Sequence, residues 1–94
     1  MNVRDILISQ DIADKIHSKH AVSEQEVYEI FENEEELVWI RRSQTMSGRY
    51  VAYGRTMGGR YLFVPFELDK ENVAHIVSAR EMDEAERRLY KRNL

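Results

Sequence analysis

The chain has 94 residues and a formal net charge of −3, and its 43% hydrophobic and 33% charged content fits one folded domain over residues 1–94 rather than a disordered chain. It has no cysteine, which excludes disulfides, thiolate catalysis and cysteine-ligated zinc. The N-terminal stretch MNVRDILISQD is too polar for a signal peptide or a membrane span, so we expect a soluble, cytoplasmic protein with no membrane association.

Charged residues are segregated along the chain. Between positions 21 and 40 all of them are glutamate, and between positions 41 and 60 all of them are arginine. The glutamates are Glu24, Glu26, Glu29, Glu32, Glu34, Glu35 and Glu36, and the arginines are Arg41, Arg42, Arg49, Arg55 and Arg60. The net charge alone argues mildly against nucleic-acid binding, but this distribution favours one acidic surface and one basic surface with an anionic partner. The alternative is that these charges are merely solvated.

The N-terminal part predicts a short strand followed by a helix. Residues 5–9 are typical of an apolar strand, and Ser9 is placed to cap a helix that ends near His20. One face of that helix carries Ile12, Ala13, Ile16 and His20.

A second helix follows with a strong start signal. Ser23 and Glu26 form a capping-box pattern, flanked by Val22 and Val27 at the spacing of a hydrophobic staple. The apolar residues that point inward are Val27, Ile30 and Phe31. The two helices therefore form a helical hairpin.

From Leu37 onward the apolar period changes to two. The stretches LVWIRRSQ, RYVAYGRT, RYLFVPFELD and NVAHIVSAR predict four strands, and the short connections between them predict an antiparallel meander. In the third strand Leu62, Val64, Phe66 and Leu68 form one apolar face. Pro65 has no N–H to donate, so we expect this strand to be bulged or locally unpaired there.

A final helix is predicted from about Met82 to Arg92. Its buried stripe consists of Met82, Ala85 and Leu89. Asp83 with Arg87, and Glu84 with Arg88, are four residues apart and predict ordinary surface ion pairs. The order of elements indicates the α+β class, with an N-terminal strand and two-helix hairpin, a four-stranded antiparallel sheet, and helices packed on one face of it.

The stretches KIHSKHAVSEQEVYEIF, RYVAYGRTMGGRYLFV and HIVSAREMDEAERRLY resemble the BrnT family of toxins, in the family's order and spacing. The resemblance implies a RelE-like fold and a metal-independent endoribonuclease that needs no cofactor. It also implies a small, ribbon-helix-helix-like DNA-binding antitoxin that wraps and silences the toxin in a hetero-oligomeric complex, which represses its own operon. The positions that match the family pattern are Lys19, His20, Arg55, Arg60, Arg80, Glu86 and Tyr90.

RNA cleavage without a metal needs a base for the 2′-hydroxyl, cations for the charge that develops on phosphorus, and an acid for the leaving oxygen. Arginine suits the second task because its planar fork meets two phosphate oxygens and stays charged. We therefore expect Arg80 and Arg55 to stabilise the phosphate, with Glu86 or His20 as the base. Tyr90 would stack on a nucleobase or donate a proton.

The remaining matched positions, Lys19 and Arg60, are expected to contact RNA.

Each of these residues also has a structural interpretation. Arg80 and Glu86 can form an ion pair that docks the last helix, and Tyr90 can be an aromatic residue at the edge of the core. His20 and Lys19 can cap the end of their helix. Arg55 and Arg60 flank the TMGG turn and can be exposed charges, and His17 with His20 lacks a third metal ligand, so no metal site is expected.

Three functions remain open from the sequence. The first is an RNA-cleaving toxin silenced by an antitoxin. The second is a non-catalytic module of the same fold that binds an antitoxin-like protein. The third is a simple nucleic-acid-binding domain, which the net negative charge disfavours.

Overall fold

The computed structural model of the protein describes residues 2–94. Its elements follow in chain order as β1 (Asp5–Leu7), α1 (Gln10–His20), α2 (Glu24–Glu32), β2 (Trp39–Arg42), β3 (Arg49–Arg55), β4 (Tyr61–Leu68), β5 (Val73–Ile76), β6 (Arg80–Glu81) and α3 (Glu84–Arg92). Three helices and a mixed sheet confirm the predicted α+β class. None of the helices formed by residues 2–94 is long and apolar enough to cross a lipid bilayer.

The helical hairpin forms as its start signals predicted. The Ser9 side chain accepts from the backbone of Ile12, and Ser23 and Glu26 form a reciprocal capping box. The staple residues Val22 and Val27 are both fully buried. These contacts fix the angle at which α2 leaves α1.

The sheet has the order β1-β5-β4-β3-β2, with β6 beside β4. Strands β2 to β5 pair antiparallel with their neighbours in the chain. The expectation of an exclusively antiparallel sheet is wrong, because β1 pairs parallel with β5 and makes the sheet mixed. Nothing in the local pattern of residues 5–9 specifies which strand they join.

The fourth predicted strand, NVAHIVSAR, is two strands. β5 ends at Ile76 and β6 begins at Arg80, and both pair with β4. Between them the backbone N–H groups of Val77 and Ser78 both donate to the Pro65 carbonyl, at 2.9 and 3.5 Å. On the β3 side, Pro65 pairs in register with Val51. On the other side of β4, the ladder is interrupted between β5 and β6, as expected because proline has no N–H to donate.

The two faces of the sheet carry different helices. On the hairpin face, defined by Ala52, Gly54, Leu62, Val64 and Phe66, helices α1 and α2 cover the main core. On the opposite face, Tyr90 of α3 packs with Tyr53 and Met82. We call this the α3 face and define it by Trp39, Arg41, Tyr53, Tyr61, Phe63 and Arg80, which the strand registers place together. The prediction that all helices pack on one face is wrong.

Candidate functional site

Arg80 lies on the α3 face, at the junction of β6 and α3. Its Nη1 and Nη2 atoms donate to Glu86 Oε1 and Oε2 at 2.8 and 2.9 Å, and its guanidinium lies over the Phe63 ring, 4.1 Å from the centroid. The hydrogen bonds to Glu86 raise the pKa of Arg80 further above its usual value. Arg80 is thus a fixed positive charge with its fork oriented, and its side chain remains 37% exposed.

Glu86 is the third residue of α3 and links the helix to the sheet. Its Oε1 also accepts from the Asp83 backbone N–H at 2.8 Å, while Asp83 accepts from the Glu86 N–H at 2.8 Å, which completes a capping box. Oε2 has Arg80 as its hydrogen-bond donor. The predicted ion pair between Arg80 and Glu86, which docks the last helix, is therefore present. The two oxygens of Glu86 differ, because Oε1 accepts from both Arg80 and the Asp83 N–H, whereas Oε2 accepts from Arg80.

Tyr90 lies beneath this surface rather than on it. The side chain is fully buried, its ring meets Tyr61 edge to face at 6.0 Å, and its hydroxyl donates to the Leu37 carbonyl at 3.0 Å. Burial, together with the neighbouring Glu36 carboxylate, raises the pKa of Tyr90 to about 12. Tyr90 supports Tyr61 and presents no surface on which a nucleobase could stack.

Arg55 reaches the α3 face from the end of β3. Its Nη1 donates to Glu36 Oε1 at 2.7 Å, and its guanidinium lies over the Tyr61 ring at 5.3 Å. The structure brings Arg55 and Arg80 to the same face, on either side of the Tyr61 and Phe63 pair.

Arg60 belongs to the other side of the sheet. Its Nη1 donates to both oxygens of Glu26 at 2.9 Å and to the Ala21 carbonyl at 2.8 Å, and its Nε donates to Glu81 Oε1 at 3.2 Å. Burial alone would raise the pKa of Glu26, but hydrogen bonds from the Ser23 backbone and from Arg60 outweigh it and hold that pKa below its usual range. Arg60 thus joins the helical hairpin to β6, and the structure does not bring it to the Arg80 site.

Lys19 and His20 are exposed at the end of α1 on the hairpin side. Within the part of the chain that the structure describes, neither side chain forms a hydrogen bond or an ion pair with the residues of the α3 face. The helix end is closed instead by Ala21, whose left-handed backbone donates its N–H to the His17 carbonyl at 3.0 Å. The expectation that His20 shares the buried face with Ile16 is wrong.

Residues 2–94 contain no group of three histidine, aspartate or glutamate side chains arranged to hold a metal ion.

The charges are less segregated in space than in the sequence. Arg49, Arg55 and Arg60 pair with Glu67, Glu36 and Glu26. The expectation of one acidic surface and one separate basic surface is therefore wrong for these three arginines, because their partners are distant in the chain but adjacent in the fold.

Two arginines of the α3 face were not singled out by sequence reasoning. Arg41 lies over Trp39 at 5.7 Å, and Arg87 lies over Tyr61 at 4.3 Å. Within residues 2–94 neither has a carboxylate within ion-pair distance. Arg87 was assigned to an ion pair with Asp83, which is wrong because Asp83 caps α3 instead, whereas the predicted Glu84–Arg88 pair forms at 3.2 Å.

The α3 face therefore combines arginines with partly exposed aromatic rings. Such surfaces suit single-stranded nucleic acid, because the arginines meet phosphates and the planar groups stack on bases. The signal that could have identified Arg87 was the capping-box spacing of Asp83 and Glu86, which leaves Asp83 unavailable for an ion pair.

The chain is similar to known proteins in sequence and in fold. A family model described as the ribonuclease toxin BrnT of type II toxin–antitoxin systems matches residues 11–86. The crystal structure of the Brucella abortus ribonuclease toxin BrnT superposes with a TM-score of 0.68 at 16% sequence identity, covering 85% of this chain and 97% of that chain, which shows a shared fold. No curated protein matches the sequence.

Proposed function

Because the chain belongs to the BrnT family of ribonuclease toxins of type II toxin–antitoxin systems, we propose that it is a metal-independent endoribonuclease silenced by a small DNA-binding antitoxin. The observation that carries the proposal is the Arg80–Glu86 pair, held at 2.8 and 2.9 Å on a face that also carries Arg55 and partly exposed aromatic rings. Three helices around a mixed sheet support the RelE-like fold as part of the same proposal.

Arg80 is the group that stabilises the phosphate. The Phe63 ring and the bond from Nη1 to Glu86 Oε1 hold the guanidinium in place while Nη2 exchanges Glu86 Oε2 for a phosphate oxygen. Arg55 supplies a second cation from the other side of the face, after it exchanges its Glu36 partner for a phosphate oxygen.

Glu86 is the base in this proposal, in preference to His20. A phosphate that engages Arg80 Nη2 releases Glu86 Oε2, while Oε1 stays held by the Asp83 N–H. Oε2 then accepts the proton of the 2′-hydroxyl, the 2′ oxygen bonds to phosphorus, and the bond to the 5′ oxygen breaks. The 5′ oxygen takes a proton from water, and the hydroxide that remains takes the proton back from Glu86, which restores the carboxylate. The products are a 2′,3′-cyclic phosphate and a 5′-hydroxyl end.

The other matched residues have supporting roles. Tyr90 positions Tyr61 from below, and Arg60 holds the helical hairpin against β6. Lys19 and His20, exposed at the far end of α1, contact RNA outside the cleavage site.

Cleavage of a structured RNA in the presence of EDTA tests the proposal. The parent protein should cleave, and Arg80→Ala should reduce the rate by about 100-fold or more, as expected when a group that stabilises transition-state charge is removed. Glu86→Gln should cause a loss of at least about 100-fold. His20→Ala should cleave at the parent rate when RNA is saturating, because His20 contacts RNA outside the cleavage site.

Because the Arg80–Glu86 pair also docks α3, the variants are compared at a temperature where circular dichroism shows each to be folded. Arg80→Lys keeps the charge but not the fork, so an intermediate rate is expected. Full activity of a folded Arg80→Ala protein would remove Arg80 from the site, and loss of activity in His20→Ala alone would move the base to His20.

The second candidate is a non-catalytic module that binds an antitoxin-like protein. It is favoured by the free protein's own pairing of Arg55 and Arg80 with carboxylates and by the net charge of −3. Absence of cleavage by the parent at high concentration, both alone and with ribosomes, would select this function.

A further inference from the structure

A small groove lies between the start of β4 and helix α3, next to the Arg80 site. It has a volume of about 220 Å³. Its lining consists of Gly59, Arg60, Tyr61, Glu81, Met82 and Arg87. The backbone bond from the Met82 N–H to the Tyr61 carbonyl, 2.9 Å long, fixes the two sides of the groove against each other.

One aromatic ring in this groove is surrounded by cations. The guanidinium groups of Arg87 and Arg55 lie 4.3 and 5.3 Å from the Tyr61 ring centroid, and the Lys91 ammonium lies 5.4 Å away. Of these three cations, Arg55 alone has a carboxylate partner, Glu36, among the residues that the structure describes. Within the lining, Arg60 and Glu81 pair with each other at 3.2 Å. Arg87 in the groove and Lys91 beside the ring are therefore the two cations here without a carboxylate partner among residues 2–94, on a chain that is negative overall.

The ring itself is held in place from below. Tyr90, fully buried, meets Tyr61 edge to face at 6.0 Å, so the orientation of Tyr61 is set by the core. Arg87 is exposed on the solvent side of that ring. A guanidinium supported by an aromatic ring on one face presents its other face as a platform for a nucleobase, and its N–H groups remain free for a phosphate.

We propose that this groove is a nucleotide subsite, in which Tyr61 and Arg87 hold one nucleotide of single-stranded RNA next to the phosphate bound at Arg80. The inference rests on the proposed function and adds a subsite to it. Tyr61 and Phe63 are two residues apart on one face of β4, about 7 Å along the strand, which one nucleotide of an extended single strand spans. Phe63 lies under Arg80. When a phosphate of the RNA is bound at Arg80, the adjacent nucleotide of the RNA therefore meets Tyr61 and Arg87.

Single-stranded RNA fits the groove better than a duplex does. Stacking needs an unpaired base, whereas a paired strand keeps its bases inside the helix. Base stacking together with phosphate contacts is also tolerant of sequence, so the subsite favours unpaired segments over particular bases.

The neighbouring residue Arg88 provides a matched control. It lies on the same helix and carries the same charge, but it pairs with Glu84 at 3.2 Å and does not line the groove. Both side chains are exposed, so truncating either one leaves the core intact.

The test measures binding of a labelled single-stranded RNA oligonucleotide by fluorescence anisotropy over a range of salt concentrations, in a Glu86→Gln background that slows cleavage. Arg87→Ala should weaken binding about tenfold, and the slope of log K against log salt should fall by about 0.7. Arg87→Lys should keep the salt slope but still weaken binding severalfold, because it keeps the charge and loses the plane. Arg88→Ala should stay within about twofold of its parent.

Equal affinities of Arg87→Ala and Arg88→Ala would overturn the subsite while leaving the ribonuclease intact, because cleavage by the unmodified parent is measured alongside. An equal loss of affinity for poly-glutamate would reveal a general anion-binding surface and also overturn it. If the parent neither binds nor cleaves RNA, the proposed function fails, and the subsite fails with it.

Discussion

At the scale of single residues, Tyr90 connects the core with the loop before β2. Its hydroxyl donates to the Leu37 carbonyl, and the Glu36 carboxylate that holds Arg55 lies 3.5 Å from the same hydroxyl. An ionised phenol here would be buried, beside a carboxylate and without a donor for its charge. The neutral form is therefore the one compatible with the fold.

Alkaline pH should consequently destabilise the protein. The pKa of Tyr90 is raised to about 12 in the folded state, from 10.0, so between these values the unfolded chain loses a proton that the folded chain keeps. The unfolded state then binds fewer protons, and the free energy of unfolding falls as pH rises, by about 2 to 3 kcal/mol across that interval. Urea denaturation at a series of pH values measures this decrease.

Tyr90→Phe provides the comparison. It should lower stability at neutral pH by about 1 kcal/mol through loss of the hydrogen bond to Leu37. Above pH 10 its stability should fall less steeply than that of the parent. Parallel curves for the two proteins would mean that Tyr90 does not cause the alkaline loss.

Among single residues, sequence reasoning identified Arg80 and Glu86, and the fold brings both onto one face. It did not establish that Tyr90 is buried, because an aromatic residue at the edge of a helical stripe has the same pattern in either role. Arg87 was missed for a local reason, since its supposed partner Asp83 serves as a helix cap.

At the scale of elements, the two capping boxes illustrate the value and the limit of a sequence signal. Ser23 with Glu26 was identified as a cap, and α2 begins there. Asp83 and Glu86 have the same spacing, but the predicted helix began at Met82 and therefore included Asp83. In the structure, α3 begins at Glu84 and Asp83 is its N-cap. Aspartate is both a good cap and a good ion-pair partner, so its presence alone did not decide between the two.

The docking of α2 on β3 depends on a glycine. A Cβ added at Gly54 would lie 2.8 Å from the Ile30 Cβ and 3.2 Å from the Ile30 carbonyl oxygen. Gly54→Ala should therefore push α2 away from the sheet and lower the free energy of unfolding by about 1 to 3 kcal/mol. Chemical denaturation measures the change.

Gly58→Ala is the control, because the nearest atom to its added Cβ is the Thr56 hydroxyl oxygen at 3.8 Å, an ordinary contact. It should leave stability within about 0.5 kcal/mol of the parent. If Gly54→Ala were equally mild, the helix would not be as closely seated on β3 as the distances indicate.

At the scale of the whole molecule, charges from distant segments hold the fold together. Glu36 pairs with Arg55 and Glu26 pairs with Arg60, although the acidic and the basic segment each look like a separate charged surface in the sequence. The sequence predicted most of the elements, since these follow from local periodicity and caps. It could not predict the partners of the arginines or of β1, because those contacts join residues far apart in the chain.

Arg60 is the most connected of these arginines, and its loss should destabilise the whole fold. Arg60→Ala removes hydrogen bonds to Glu26, to the Ala21 carbonyl and to Glu81. We expect about 2 kcal/mol of lost stability at neutral pH, with the rate of RNA cleavage per folded molecule unchanged at saturating RNA, because Arg60 does not contact the Arg80 site. Urea denaturation and a cleavage assay at low temperature measure the two quantities.

In the acid range, the free energy of unfolding of Arg60→Ala should depend less on pH than that of the parent protein does. Because the pKa of Glu26 is lowered in the folded protein, its contribution is present above the unfolded pKa and is lost as pH falls through the folded one. Arg49→Ala, whose partner Glu67 is largely exposed, is the control and should cost at most about 1 kcal/mol. A stable Arg60→Ala protein with reduced cleavage would instead place Arg60 in RNA binding.

The parallel pairing of β1 with β5 has a consequence for the order in which the molecule assembles. Asp5 to Leu7 align with Val73 to His75, so this edge of the sheet closes only after nearly all of the intervening chain has been brought together. The hairpins of β2 to β4 join neighbours and can form early, whereas β1 must wait for a long loop to close. We therefore expect β1 to pair last, with closure of the β1–β5 edge as the slow step of folding.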